Sequence, residues 1–532
     1  MPPAVRPQPP ASAPESAPAS AAASAPPAAT AAQSAGRGGL AIAGAKVSFI
    51  VFGFVQQLIL PRLLGVDGYG EVSRVLAIVG VVNNVVVATA IQGVSRAVSD
   101  VPKDRAAEAF ARTLTLHAAF AAIVSAVFAL SAGGIAAAVG APHITTPLRL
   151  VAAVVLLYGV YAPLVGSLNG LRRFTAQAGL DVLYGAMRMG CIAAGAILFI
   201  RAGESGVVGA IAGFVIAAAL IVPIAASRSG IGRRGSAGPT AGQHLAFLLP
   251  LAVSQIFLNL LLQTDFMIVS RLVGDSAQRL QLGADAADEL VGVYRGVQLF
   301  AFLSYQLLVS VTFIIFPMLA KARADGDADA VRRYTRTGMR IALLLSGLMC
   351  APIAGLAPHV LRFAFPEKIW SQGGDALRIL ALGMGTFAVL GVESAALTSL
   401  RHERRAAALT ATTVALVATG CLIAIPRAAF GPQMLIYSAA ATSAALAVAA
   451  VAGGFVLRQA ADAAVAPLVA VRVAIAVAAT VAIGARLPWM GKPFVLVEAA
   501  AVALVYVGVL AATGEIGKAD LALLRQAFGR RR

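Results

Sequence analysis

Apolar runs of 18 or more residues follow one another from Leu40 to Thr513. Each is long enough to cross a hydrocarbon core of roughly 30 Å as a helix. Lipid offers backbone N–H and C=O groups no water, so a spanning segment must bond them internally, and these runs are expected to be helices. A membrane barrel would alternate apolar and polar residues in roughly ten-residue units, a pattern that is absent here. The hydrophobic share of 59% and mean hydropathy of +0.84 belong to the same class. The expectation is an all-α polytopic membrane protein with about 14 transmembrane helices. Their approximate limits are 40–60, 72–97, 112–132, 147–167, 178–200, 204–226, 244–267, 291–317, 335–357, 374–398, 405–425, 433–457, 465–485 and 494–513.

Within that array the chain repeats itself. Leu168-Asn169-Gly170-Leu171-Arg172-Arg173 returns 229 residues later as Leu397-Thr398-Ser399-Leu400-Arg401-His402. Arg62-Leu63-Leu64-Gly65 returns as Arg271-Leu272-Val273-Gly274, and Tyr69 is matched by Tyr294. The change of offset falls on a polar insertion from Asp275 to Glu289. A period of six spans is even, so both copies cross the membrane in the same sense, with the symmetry axis along the membrane normal. Two parallel six-helix lobes are expected, 38–230 (spans 1–6) and 231–460 (spans 7–12), with spans 13 and 14 added at 461–514. Residues 1–37 are an Ala/Pro/Ser tail of a composition that cannot bury a core, and they read as disordered rather than as a signal peptide.

The net charge of +18 lies in the links between apolar runs, which points to topology and away from nucleic acid. Links after even-numbered spans hold most of it, for example Lys103, Arg172, Arg173, Arg233, Arg332, Arg336, Arg401 and Arg458. Odd links hold fewer, such as Arg62, Arg279 and Lys368. The bias places even links and both termini in the cytoplasm. The tail 515–532, with Ile516, Leu521, Leu524 and Phe528 on one helical face, reads either as a surface-lying helix or as a solvated basic tail. Cys191, Cys350 and Cys421 lie in apolar spans as packing residues, and the five histidines show no ligand spacing. No metal site, catalytic residue or cofactor is expected; a phosphate-binding Gly-x4-Gly-Lys-Ser/Thr loop is missing.

Ionisable residues at membrane depth cost roughly 2.5–3.5 kcal/mol each, so each needs a reason. Asp265 in span 7 shares its helix with Asn259 and Gln263; it either lines a cavity or pairs with Arg271 or Arg295. Glu393, deep in span 10, is either a coupling acid or a neutral acid bonded between helices. Arg188 and Asp181 in span 5 are too far apart to pair, so each needs a partner elsewhere. Arg472 and Glu498 are expected to face each other. Lys46, Arg74, Arg96 and Arg295 either snorkel or converge on the central cleft. Convergence would suit a phosphate-bearing substrate, and the Tyr69/Tyr294 echo makes Arg74 and Arg295 the facing cations. Asn83, Asn84 and Gln92 suit sugar hydroxyls or helix–helix contacts equally.

The stretch Leu60-Pro61-Arg62-Leu63-Leu64-Gly65-Val66-Asp67-Gly68-Tyr69-Gly70 closely resembles the first-loop signature of Wzx-type polysaccharide flippases. Thr264-Asp265 with Gly292-Val293-Tyr294, and Leu377 to Gly383, resemble that family's seventh, eighth and tenth spans. Order and spacing are those of the multidrug/oligosaccharidyl-lipid/polysaccharide exporter superfamily, over about 38–513. The resemblance implies flipping of an undecaprenyl-pyrophosphate-linked oligosaccharide from the cytoplasmic to the periplasmic leaflet of the inner membrane, for O-antigen, capsule or exopolysaccharide. It implies Lys46, Arg74, Arg188 and Arg295 on the pyrophosphate, Asn83, Asn84, Asn259 and Gln263 near sugar, and Asp265 or Glu393 coupling to H+ or Na+. The partners it implies are the lipid-linked oligosaccharide, membrane lipid, a polysaccharide polymerase and other assembly proteins. Spans 13 and 14 resemble the tail-binding pair of the peptidoglycan-precursor flippase branch, but the first loop lacks that branch's Gly-Phe-x-Arg-Asp motif. Competing readings are a cation-coupled multidrug exporter, a lipid II flippase, and a non-transporting scaffold that recruits synthesis enzymes.

Overall fold

The computed structural model describes residues 28–463 and 466–517, and every regular element among them is a helix. In chain order these are α1 Ala28–Ser99, α2 Ala106–Ala138, α3 Thr145–Gly170, α4 Phe174–Arg201 and α5 Gly206–Ser229. They continue as α6 Ala241–Arg279, α7 Ala284–Ala301, α8 Leu303–Ala324, α9 Ala328–Gly355 and α10 Ala357–Ala364. The last are α11 Glu367–Ser399, α12 Glu403–Ala424, α13 Pro432–Ala461, α14 Pro467–Gly484 and α15 Val495–Ala512.

Among the described residues, twelve helical stretches are long and apolar enough to cross a membrane. One of them, Gly44–Ser99, contains expected spans 1 and 2, and the expected eighth span is divided between α7 and α8. The fold is therefore a polytopic helical membrane fold. The first link is tighter than its polar sequence suggests. Helix α1 runs through Pro61 and breaks at Gly65 alone, where φ is 78° and ψ 172°. Only a residue without a Cβ adopts that backbone at little cost. At its other end α1 starts at Ala28, inside the Ala/Pro/Ser stretch 1–37. Residues 1–27 of the expected disordered tail, and 518–532 of the expected surface helix, lie outside the described residues.

The repeated hexapeptide has one backbone form in both places. Arg172 and Arg401 are left-handed, at φ 57° and 65°. Arg173 N–H donates to Leu168 O at 2.8 Å, and His402 N–H donates to Leu397 O at 2.9 Å. Each is a helix C-terminus closed by a left-handed residue, satisfying carbonyls that would otherwise face the membrane boundary unbonded. A new helix follows at once, α4 or α12.

Helices α1 to α5 pack on one another, as do α6 to α13, around the buried α11. Helices α14 and α15 pack on each other and on α9. The two large groups meet where α1 lies against α6 and α7.

Candidate functional site

The seam between α1 and α7 is closed at backbone distance. A Cβ on Gly70 would stand 1.9 Å from Asp288 O, and one on Gly292 would stand 2.2 Å from Val66 O. This approach carries Arg74 of α1, 1% exposed, to within 2.7 Å of Asp288 of α7. His143, from the turn before α3, reaches the other oxygen of Asp288 at 2.8 Å. Glu71 completes the cluster: one atom each from Glu71, His143 and Asp288 lie within 4.8 Å of one another, the spacing of a cation site. Here the positive charge is the Arg74 guanidinium itself, so the arrangement reads as an ion-pair network across the seam.

On the same side two arginines cross between the groups in opposite directions. Arg62, at the end of the first half of α1, donates to Ala364 O, the last carbonyl of α10, at 2.5 Å. Its repeat counterpart Arg271 in α6 donates to Ala137 O at 2.6 Å and Ala138 O at 3.1 Å, at the end of α2. Asp275 holds the Arg271 side chain at 2.8 Å. Each arginine thus donates to the terminal carbonyls of a helix in the other half of the chain, where positive charge is favoured.

Further along α6, Asp265 is buried among the carboxy-terminal helices. It accepts from Tyr294 Oη at 2.8 Å and from Gln298 Nε2 at 3.1 Å to both carboxyl oxygens. Gln298 Oε1 accepts from Arg295 at 3.2 Å, and Ser438 Oγ donates to Tyr294 Oη at 3.2 Å. An acceptor-only carboxylate suits this set of donors. The expected direct pairing with Arg271 does not occur, because Arg271 is held by Asp275 and the α2 carbonyls. Arg295 reaches Asp265 through Gln298, and its guanidinium lies 5.4 Å from the Phe266 ring centre. Asn84 donates to Asn259 at 2.6 Å between α1 and α6, Asn83 is buried beside it, and Gln263 is half-buried.

The expected convergence of Arg74 and Arg295 as free cations is not what the structure holds. Arg74 is ion-paired at the seam and Arg295 is bonded to Gln298. Arg188, like Arg295, has a neutral hydrogen-bonding neighbour, the Tyr158 hydroxyl. It is half-buried in α4, with its guanidinium 5.1 Å from the Phe49 ring centre and 5.9 Å from that of Phe214. Among the described residues no carboxylate pairs with it. Close by, the Tyr158 and Tyr184 hydroxyls bond each other. Lys46 is exposed, within electrostatic reach of Asp181.

Glu393 in α11 is 4% exposed, with Oε2 lacking a hydrogen-bond partner among the described residues; a Cβ on Gly453 would stand 2.2 Å from that atom. The interhelical hydrogen bond expected for it as a neutral acid is thus not seen at Oε2. Arg472 and Glu498 do not face each other. Glu498 pairs with His359 at 2.7 Å, and Arg472 with Glu515 at 3.1 Å, because α10 and the segment after α15 bring these nearer partners. The histidines are not all scattered: His117 and His244, on α2 and α6, meet Nε2 to Nε2 at 3.1 Å.

Asp288, His143, Glu71, Gln298 and Ser438 were not anticipated as functional residues. Asp288 lies in the polar insertion read as a link, and His143 in a short turn. One signal was available for Gln298: it stands one helical turn beyond Tyr294, on the face that meets Asp265.

A family model described as "Polysaccharide biosynthesis protein" matches residues 59–372. Among solved structures, the lipid II flippase MurJ in an inward closed conformation is similar with a TM-score of 0.67 and 14% identity, covering 88% of this chain and 97% of that one. An inward-facing multidrug resistance MATE transporter of the MOP superfamily gives 0.60 and 15%, covering 77% and 98%. A probable multidrug resistance protein NorM of Rhizobium meliloti (strain 1021) is 32% identical over 202 residues, a match covering 34% of this chain and 42% of that protein's length. The chain belongs to the polysaccharide biosynthesis protein family and has the fold of these flippase and MATE structures.

Proposed function

We propose that the protein moves an undecaprenyl-pyrophosphate-linked oligosaccharide across the bacterial cytoplasmic membrane by rocking of two six-helix lobes. The observation that carries this reading is Arg188: a cation in mid-helix, held against aromatic faces with no carboxylate partner among the described residues. A guanidinium placed so at membrane depth is costly unless an anion comes to it, and its planar fork fits phosphate oxygens. Lys46, exposed on α1 and within electrostatic reach of Asp181 of the same helix as Arg188, is a second cation of the first lobe. With even links cytoplasmic by their lysines and arginines, the seam at Gly70 and Gly292 closes the periplasmic side. Substrate then enters from the cytoplasm, and release requires the Arg74–Asp288 pair and both arginine clamps to open.

The test is protein-dependent transbilayer movement of a labelled lipid-linked glycan in proteoliposomes. Wild-type protein is expected to move it, Arg188→Ala to lose at least tenfold in rate, and Arg188→Lys to retain part. Unchanged transport by Arg188→Ala would sink the reading.

A second reading, cation-coupled multidrug export, is favoured by Glu393, a buried acid whose Oε2 lacks a partner among the described residues and faces Gly453. It expects drug efflux that survives Arg188→Ala and fails in Glu393→Gln.

A further inference from the structure

Away from the seam, α9, α13 and α14 enclose a cavity of about 710 Å³ whose walls include Arg336, Arg340, Arg458 and Val469. A second cavity of about 670 Å³ shares Arg336 and Asp462 with it and adds Arg332 and Arg333. Several of these charges are already matched. Arg332 pairs with Asp329 at 3.3 Å and Asp462 at 2.7 Å, while Arg340 pairs with Glu515 at 2.7 Å. Arg336 on α9 and Arg458 on α13 are exposed, and among the described residues no carboxylate pairs with either.

The level of the cleft is legible from α9. Its first part, Ala328 to Arg340, carries all the helix's charge, and Ile341 to Gly355 carries none. The cleft therefore sits where a spanning helix leaves the hydrocarbon and meets the headgroups. Below it, Leu468, Val471 and Ile475 are 56%, 52% and 50% exposed, and they follow one stripe of α14. A cationic mouth above an exposed apolar stripe is complementary to a phosphate joined to an acyl chain.

We infer that this cleft binds the phosphate of an anionic membrane lipid, with Arg336 and Arg458 on its oxygens and an acyl chain along the α14 stripe. A count of positive charges suffices for topology and needs no concave site. Here Arg336 and Arg458 come from different helices and face one cavity, whose remaining arginine, Arg340, is held by Glu515. The inference is independent of what the protein transports.

The test uses the full chain, purified in neutral detergent and titrated with phosphatidylglycerol or phosphatidylcholine under native mass spectrometry. Phosphatidylglycerol is expected to be retained preferentially. Arg336→Ala and Arg458→Ala should each weaken its binding about tenfold, the worth of one charge-assisted hydrogen bond. Arg233→Ala with Arg234→Ala, a basic pair in the link before α6, should leave it unchanged. Equal retention of the two lipids, or full retention of phosphatidylglycerol by the Arg336/Arg458 double variant, would overturn the inference. Inorganic phosphate binding as tightly as phosphatidylglycerol would assign the cleft to a free anion and overturn it as well. If the alanine variants do not run as a single species on size exclusion, Arg336→Gln and Arg458→Gln carry the same test.

Discussion

Gly70 stands where α1 and α7 touch backbone to backbone, and nothing flexible is there to yield. A methyl group at 1.9 Å from Asp288 O forces the helices apart. Gly70→Ala is thus expected to lower the population of the closed seam. Spin labels at Asp67→Cys and Asp285→Cys, both exposed on that side, should report a longer mean distance in the variant than in the parent. An unchanged distance distribution would mean that the crossing has slack. The twin turns allow a second residue-scale prediction. Arg172 and Arg401 hold a backbone conformation that costs an L-residue roughly 1–2 kcal/mol. Replacement of Arg172 by Gly should leave the melting temperature level or raised, and Arg172→Val should lower it by several degrees, because branching at Cβ is poorly tolerated there.

At the level of elements, apolar length and charge placement were enough to foresee nearly all of the helices, since lipid imposes internal hydrogen bonding on each run. They were not enough for what joins the helices. Pro61 to Glu71 reads as a polar link, yet the chain spends a single residue, Gly65, outside the helix. Glycine at 65 was in plain view; that no other residue would leave the helix was not. The insertion from Asp275 to Glu289 reads as a loop, but α6 extends to Arg279 and α7 begins at Ala284, which sets Asp288 on a helix facing Arg74. His117 and His244 meet from two helices, and no local spacing encodes such a meeting. The repeat did better: Arg62 and Arg271, matched by sequence, perform the same task on opposite halves. Alanine at either should weaken the closed state by on the order of 1 kcal/mol, since both side chains are partly exposed. A faster rate of cysteine labelling at a buried seam position, such as Val291→Cys, is the expected readout.

For the whole molecule the Arg74–Asp288 pair decides how firmly the halves stay shut. Both groups are withdrawn from water, so removing one leaves the other buried with only His143 or Glu71 of the cluster beside it, which disfavours that state. Arg74→Ala and Asp288→Ala are each expected to stall transport by depopulating the closed form. Arg74→Leu combined with Asp288→Leu should recover part of it, because neither member of the pair is left facing a missing partner. Transport rates of the single and double variants in proteoliposomes check this; a double variant worse than both singles would contradict it.

The crossed arginines also constrain how the chain is made. When α2 has been inserted, the carbonyl of Ala138 lacks its donor until Arg271 leaves the ribosome, and Arg62 waits longer still, for Ala364. Each half of the nascent protein thus carries one unfinished helix end that only the other half can complete. A chain cut in the link between α5 and α6 should yield two fragments that are short-lived alone and stable when produced together.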